Sequence, residues 1–115
     1  MLLRVNPESS EPLFAQLAAA VRAEIAQGDL HPGDRLPAAR DVASGLGVNL
    51  HTVLHAYQAL RDEGLVDLRR GRGAVVTEGA HAVAQLERDI AELGRRAAAL
   101  GMAPSTAVEL LRASM

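Results

Sequence analysis

Two groups of side chains suited to binding nucleic acid lie in the middle of this 115-residue chain. The first is the stretch Asn49–Gln58, which carries two histidines, two leucines and two amides. The second is the run Arg69–Gly73, in which two glycines frame an arginine. Amides pair with adenine, guanidinium groups pair with guanine or phosphate, and apolar groups contact the thymine methyl. These residue types indicate a surface that binds DNA.

The stretch after Asn49 is predicted to be a helix with one exposed face. A rotation of about 100° per residue turns four side chains away from the buried stripe, with Leu50 at the flank; the four are His51, Leu54, His55 and Gln58. Gln58 suits adenine, the histidines suit guanine or phosphate, and the leucines suit thymine methyls. The alternative is an ordinary solvated helix face. Exposed leucines favour a partner surface, and that partner is either DNA or a protein.

The arginines outside this helix suit phosphate and minor-groove contacts. A flexible Gly71-Arg72-Gly73 tip allows an arginine to enter a narrow minor groove, where the negative potential is enhanced. A plain basic hairpin turn is the alternative. A nucleotide-binding loop is disfavoured, because this tip precedes a predicted strand instead of a helix N-terminus. Arg40, early in another predicted helix, suits either a phosphate contact or an ion pair with a neighbouring acid.

Metal binding and catalysis are not predicted. His51 and His55 have the i, i+4 spacing of a two-histidine metal site, but Asp62 is two turns away from His55 and no third ligand is better placed. No serine has the sequence context of an activated nucleophile, and no pair of acids is evidently placed for proton transfer. We therefore predict no metal, no cofactor and no enzymatic activity.

Helix and turn signals place these groups on a winged helix-turn-helix. Residues Met1–Ser9 are expected to form a loose arm, and Arg35-Leu36 a very short strand. Gly47 is expected to supply the positive φ of the turn between helices. The first predicted helix begins near Ser10–Pro12, with Ser10 or Glu11 as cap, and ends at Gly28. The second runs from Ala39 to Ser44 and ends at Gly45, and the third is capped by Asn49 and ended by Gly64. Two strands are predicted to follow, over Leu65–Leu68 and Ala74–Thr77.

The residues from Ala80 onward predict two further helices. Apolar residues alternate spacings of three and four, which is typical of a helix with a narrow face for another helix; they are Val83, Leu86, Ile90, Leu93, Ala97 and Leu100. A last helix is predicted from Pro104, burying Val108 and Leu111. Such a hairpin with one apolar face needs either the winged helix or a second copy. We expect a DNA-binding domain over residues 1–79 and a dimerisation tail over residues 80–115.

Composition limits the class of protein. An apolar fraction of 49% is enough for a core, while the absence of cysteine excludes disulfides and thiolate metal sites. No apolar run approaches the roughly 20 residues of a membrane span, so we expect a cytoplasmic protein without a membrane partner. The net charge of −2 does not by itself suggest DNA. Between Arg35 and Gly73, six arginines face four acids, a weak local excess.

The chain resembles the GntR family of bacterial transcription regulators. The similarity extends from Glu11 to about Thr77. The short helical tail of this chain resembles the tails of the YtrA subfamily. The motifs that carry it include Pro32-Gly33-Asp34-Arg35-Leu36-Pro37, Arg40-Asp41-Val42-Ala43, Leu46-Gly47-Val48, Thr52-Val53, Ala56-Tyr57, Gly64-Leu65 and Gly71-Arg72-Gly73. The resemblance implies a homodimer that binds an inverted-repeat operator and usually represses. By position it implies DNA contacts from Arg40, Asn49, Leu50, His51, Thr52, Arg70, Gly71 and Arg72.

Two positions depart from the family pattern. Leu50 stands where much of the family has an arginine, so one base or phosphate contact is lost and the operator should differ. Ala38 replaces a serine that commonly caps the second helix, a loss of about 1 kcal/mol in helix stability. We therefore expect a mainly α (α+β) protein, with a winged helix-turn-helix and a two-helix dimerisation tail, that acts as a sequence-specific DNA-binding repressor. The alternative is a winged-helix protein–protein interaction module, and a small-molecule effector stays open.

Overall fold

The computed structural model describes residues 3–115 and confirms the predicted fold class. Five helices and a two-stranded hairpin make up this part of the chain. In order they are α1 (Leu13–Gln27), α2 (Ala39–Leu46), α3 (Leu50–Asp62), β1 (Val66–Arg69), β2 (Gly73–Val76), α4 (Ala80–Ala99) and α5 (Pro104–Ser114).

Helix ends follow local backbone chemistry, with two corrections. The cap of α1 is Pro12, which makes no side-chain hydrogen bond, so the predicted cap at Ser10 or Glu11 is wrong. Helix α2 continues past Gly45, because the left-handed residue that ends it is Gly47, with φ of 68°. The Gly47 amide donates to a carbonyl of the last turn, as expected for this kind of helix end.

The N-terminal arm is less loose than its sequence predicts. Leu3 and Val5 are half-buried and pack against the hydrophobic core. The side-chain amide of Gln16 donates to the Asn6 carbonyl at 3.0 Å, and its oxygen accepts from the Asn6 amide at 2.7 Å. The prediction of a loose arm is therefore wrong for the described part, because the core supplies an apolar surface and Gln16 of α1 supplies an amide partner. Met1 and Leu2 lie outside the described residues.

The core is aliphatic and centres on α1 and α3. Its most buried large side chains are Leu17, Val21, Ile25, Val53, Leu60, Leu65 and Val66. Tyr57 is the one aromatic residue buried among the described residues, while Phe14 is half-buried against the core. The core therefore fixes α3 by one face and leaves the opposite face free for a partner.

The hairpin is completed by a third short segment. Strands β1 and β2 are antiparallel, with Val66 opposite Val76 and Arg69 opposite Gly73. Arg35 forms a bridge to Val75, which confirms the predicted very short strand before Pro37. We call the turn between β1 and β2, residues 69–73, the wing tip.

The chain divides into two compact units, residues up to 84 and residues 85–115. The start of α4 belongs to the first unit, because Ala80 and Ala84 are buried in its core and Val83 packs against that core. This division falls later than the predicted boundary after residue 79. We therefore use the name tail for residues 85–115, and its role in dimerisation stays a proposal.

The tail contains no buried residue. Leu86 is 57% exposed, Leu93 54% and Leu100 86%. Val108 and Leu111 of α5 are 52% and 45% exposed in the single chain, so their burial requires a partner surface, as the sequence predicts for this hairpin. No helix within residues 3–115 is both long enough and apolar enough to cross a membrane.

Candidate nucleic-acid interface

A cleft of about 470 Å³ separates α3 from the wing tip. One wall is formed by Leu54 and Gln58 of α3, and the other by the wing tip. Four arginines line it, namely Arg35, Arg69, Arg70 and Arg72. No carboxylate among the described residues lines the cleft. Concave surfaces lined by one sign of charge concentrate the electrostatic potential, so this cleft is suited to a polyanion.

Three of the arginines predicted to contact DNA are free to do so. The side chains of Arg40, Arg70 and Arg72 are exposed and make no hydrogen bond or ion pair within residues 3–115. Arg69 lies within 3.3 Å of Asp67, in an exposed pair whose charge is partly compensated. The alternative that Arg40 pairs with a neighbouring acid does not occur in the described part of the chain.

The exposed face of α3 carries the predicted side chains, with differences between them. His51 and Gln58 are exposed, and Leu54 is 37% exposed. Leu50 and Thr52 are half-buried, and Leu50 packs against the core. Only part of the Leu50 side chain is therefore available to a partner.

His55 contacts another helix in a way that its sequence position does not reveal. Its imidazole stacks on the Phe14 ring of α1, with centroids 3.7 Å apart and planes inclined by 15°. Aromatic stacking of this kind contributes about 0.5–1.5 kcal/mol. Because the imidazole is still exposed, Phe14 orients it without covering it. The spacing of residues along α3 could not have shown this contact with α1.

The start of α3 is built as an anion-attracting end. Asn49 caps the helix as predicted, its side-chain oxygen accepting the His51 amide at 2.8 Å. The helix dipole gives such an N-terminus a partial positive charge. Pro12, Phe14, His51 and other residues of the two helix starts line an open depression beside it, of about 500 Å³.

The wing tip depends on glycine geometry and on Arg35. Gly71 and Gly73 have φ of 81° and 74°, a left-handed conformation that L side chains rarely adopt. The Arg35 Nε donates to the Arg72 carbonyl oxygen at 3.0 Å. Arg35 was not among the residues predicted to contact DNA. The sequence predicted a short strand at Arg35-Leu36 but not its pairing with Val75, which places Arg35 beside the wing tip.

Tyr57 fixes α3 to the segment that forms the floor of the cleft. Its hydroxyl donates to the Pro37 carbonyl oxygen at 2.6 Å. Burial raises the pKa of Tyr57 to about 12, because the phenolate would lose its hydration. The neutral hydroxyl therefore remains a donor throughout the neutral pH range.

The predicted dimerisation residues form an exposed apolar surface, with one exception. Val83 packs against the winged-helix core, so we leave it out of the surface. Leu93, Ala97, Leu100 and Leu111 line a groove of about 340 Å³ in the tail, together with the unpredicted Met102 and Leu110. Leu86, Ile90 and Val108 are also exposed.

No cluster of three or more metal-ligating side chains occurs in the part of the chain that is described.

The sequence matches the family model described as bacterial regulatory proteins, gntR family, over residues 13–76. This match spans α1 to β2 and so includes both walls of the cleft. The chain belongs to the GntR family. GntR proteins are DNA-binding transcription regulators, and the arginine-lined cleft beside α3 fits that activity.

Two relatives place the chain near YtrA. It is 34% identical to the transcriptional repressor YtrA of Bacillus subtilis over 79 residues, which cover 69% of this chain and 61% of that protein. It is 36% identical to the transcriptional regulator Rv1152 of Mycobacterium tuberculosis over 109 residues, covering 95% and 90% of the two chains. The chain is thus a YtrA-like GntR protein.

Solved structures agree with this assignment. YtrA from Sulfolobus acidocaldarius, described as a GntR-family transcription factor, superposes with a TM-score of 0.65 at 35% identity, covering 84% of this chain and 99% of that one. The DNA-binding domain of AraR, solved in complex with operator ORX1, gives a TM-score of 0.58 at 28% identity. That comparison covers 65% of this chain and 93% of the AraR domain.

Proposed function

We propose that this GntR protein is a homodimeric transcriptional repressor that binds an inverted-repeat DNA operator. The observation that carries the proposal is the cleft between α3 and the wing tip, which four arginines line without a carboxylate. Phosphate contacts from arginines supply affinity, and groups on a recognition helix supply sequence discrimination. Both kinds of group lie on one side of α3 here.

Each exposed group takes a role that suits its chemistry. Arg40, Asn49 and Thr52 bind backbone phosphates, and the exposed part of Leu50 contacts a thymine methyl. His51 and Gln58 reach base edges in the major groove, and His55 adds a contact oriented by its stack on Phe14. Arg70 and Arg72, held by the Gly71 turn, reach the minor groove.

The tail brings two copies together. Its apolar side chains are exposed in the single chain, and contiguous exposed patches of this kind mark association sites. The proposed interface consists of Leu86, Ile90, Leu93, Ala97, Leu100, Val108 and Leu111, with Met102 and Leu110 added by the groove. Two α3 helices then enter successive major grooves about 34 Å apart.

Related proposals follow from this activity. The proteins to which this chain is similar are named transcriptional regulators, so we propose that it has no catalytic activity and needs no cofactor. An operator partner also requires a cytoplasmic location.

A protein–protein interaction module is the second candidate. It is favoured by two exposed apolar side chains on the winged-helix unit, Leu54 at 37% and Leu68 at 40%. Both line the same cleft as the arginines, which makes a polyanionic partner more suitable than an apolar protein surface. In this alternative Leu50, Leu54 and the tail would form the binding surface.

Selection of binding sites from a random duplex pool separates the two candidates. The full chain is expected to enrich an inverted repeat whose half-sites are centred about 10 base pairs, or a multiple of that spacing, apart. Light scattering on the free protein is expected to give the mass of two chains. A pool that enriches no sequence would contradict the repressor and leave the protein-binding module as the better account.

A further inference from the structure

We propose that Arg35 is both a positioning residue for the wing tip and a ligand for one DNA phosphate. This inference rests on the proposed function, since it concerns how the same cleft holds DNA. It assigns a DNA-contacting role to a residue that precedes α2, outside both the recognition helix and the wing tip.

Backbone pairing holds Arg35 beside the hairpin. The Leu36 amide donates to the Ala74 carbonyl at 2.9 Å, and the Val76 amide donates to the Asp34 carbonyl at 2.8 Å. Together with the bridge between Arg35 and Val75, these bonds join the segment to β2. The backbone of Arg35 is therefore fixed relative to β2.

The Arg35 guanidinium then reaches the wing tip. Its Nε donates at 3.0 Å to the carbonyl of Arg72, the residue between the two left-handed glycines. That carbonyl lies in a tight turn, in which the Arg72 amide donates to the Arg69 carbonyl at 3.1 Å. Its hydrogen bond to Arg35 restricts the directions in which the Arg72 side chain can leave the turn.

Most of the hydrogen-bonding capacity of Arg35 remains available. An arginine has five N–H donors in a planar fork. One is used by the Arg72 carbonyl, and the two terminal nitrogens make no hydrogen bond or ion pair within residues 3–115. A guanidinium with free terminal nitrogens binds phosphate strongly, with two parallel bonds.

The cleft contains the part of DNA that such a group would meet. With α3 in a major groove and the wing tip in the adjacent minor groove, the sugar–phosphate strand between the two grooves passes through the cleft. Arg35 lines this cleft together with Arg69 and Arg70, and no acid of the described residues lies among them. The phosphate that Arg35 binds therefore belongs to the strand that separates the two grooves.

Salt dependence tests the phosphate contact. Affinity for the selected operator is measured by fluorescence anisotropy at several salt concentrations for wild type, Arg35→Gln and Arg35→Lys. Arg35→Gln is expected to lower the slope of log K against log salt by about 0.9 per protomer, and Arg35→Lys to keep it. Arg88→Gln, an exposed charge change on α4, is the matched control and should leave the slope unchanged. An unchanged slope for folded Arg35→Gln would overturn this part.

A double-mutant cycle tests the positioning role. Arg72→Ala removes the side chain but keeps the carbonyl that Arg35 holds. In the wild-type background it is expected to weaken binding about tenfold, and in the Arg35→Gln or Arg35→Lys background by about threefold or less, because residues joined through one hydrogen bond are not additive. Arg35→Lys keeps the charge at this position. If Arg72→Ala lowers operator affinity as much in the Arg35→Lys background as in wild type, the positioning role is overturned.

These outcomes are distinct from failure of the proposed function. If the wild-type chain selects no sequence, the repressor proposal itself fails before Arg35 is examined. If Arg35→Gln does not fold by circular dichroism, Arg35→Met replaces it in the salt titrations and Arg35→Lys carries the coupling arm. An unchanged slope for folded Arg35→Met would then overturn the phosphate contact.

Discussion

The two units of this chain use similar apolar residues in opposite ways. In the winged-helix unit, Val21, Ile25 and Leu60 are fully buried, and all three helices contribute to one core. In the tail, Leu93 is 54% and Leu100 86% exposed, and no residue is buried. The first unit therefore contains the partners that its own apolar faces need, whereas the tail lacks them. In the proposed dimer, a second copy supplies the partners that the tail lacks.

Core truncation should give the largest effect and should distinguish the two units. Leu60→Ala is expected to lower the free energy of unfolding by about 2–5 kcal/mol, because it leaves a cavity in the core. Leu100→Ala should change it by less than about 0.5 kcal/mol in dilute protein that is monomeric by light scattering. Urea unfolding followed by circular dichroism measures both. Equal losses would contradict the contrast between the units.

Charge placed in the tail groove should separate the copies. Leu93→Glu combined with Leu111→Glu is expected to give a monomer by light scattering and to weaken operator binding about 100-fold, because the second half-site is no longer bound intramolecularly. Ala91→Glu, an exposed change on α4 outside the groove, should stay dimeric. A dimeric double variant would place the interface elsewhere.

Loss of a wing arginine should weaken DNA binding without changing the fold. Arg72→Ala is expected to reduce operator affinity about tenfold, a loss of about 1.4 kcal/mol, and to lower the salt slope by about 0.9 per protomer. Anisotropy at several salt concentrations measures both quantities. If affinity is unchanged at every salt concentration, the wing tip does not contact DNA.

The smallest effect is expected at the link between α3 and the floor of the cleft. Tyr57→Phe removes the hydrogen bond to Pro37 and should cost about 1 kcal/mol of stability. Because the folded pKa of Tyr57 is raised from 10.0 to about 12, its stabilising effect is complete below pH 10 and is lost as the pH rises towards 12. Near-ultraviolet absorbance follows the phenolate directly, since Tyr57 is the only tyrosine and there is no tryptophan. Ionisation of the folded chain near pH 10 would contradict the raised pKa.

Periodicity and turn chemistry were sufficient to predict most of the fold. The stripe of α3, its Asn49 cap and the left-handed Gly47 were all predicted, because each depends on residues close in sequence. The end of α2 was predicted at Gly45 instead, since two neighbouring glycines offer two possible stops and only the backbone conformation distinguishes them.

The features that sequence could not predict are contacts between distant segments. The stack of His55 on Phe14 joins α3 to α1, and the bond from Arg35 to the Arg72 carbonyl joins the loop before α2 to the wing tip. Val83 follows the apolar spacing of the tail, yet it packs against the core because α4 begins inside the winged-helix unit. Spacing along one helix cannot distinguish these surfaces.

The central claim, that this chain recognises a DNA sequence, is tested most directly by the ratio of its affinities for the selected operator and for a scrambled duplex. Anisotropy titrations of the full chain, at one fixed near-physiological salt concentration, compare the selected inverted repeat with a scrambled duplex of the same composition. We predict that the inverted repeat binds about 1,000-fold more tightly or better, with two chains per duplex. Equal affinity for the two duplexes would show that α3 and the wing tip do not recognise sequence, and would contradict the account.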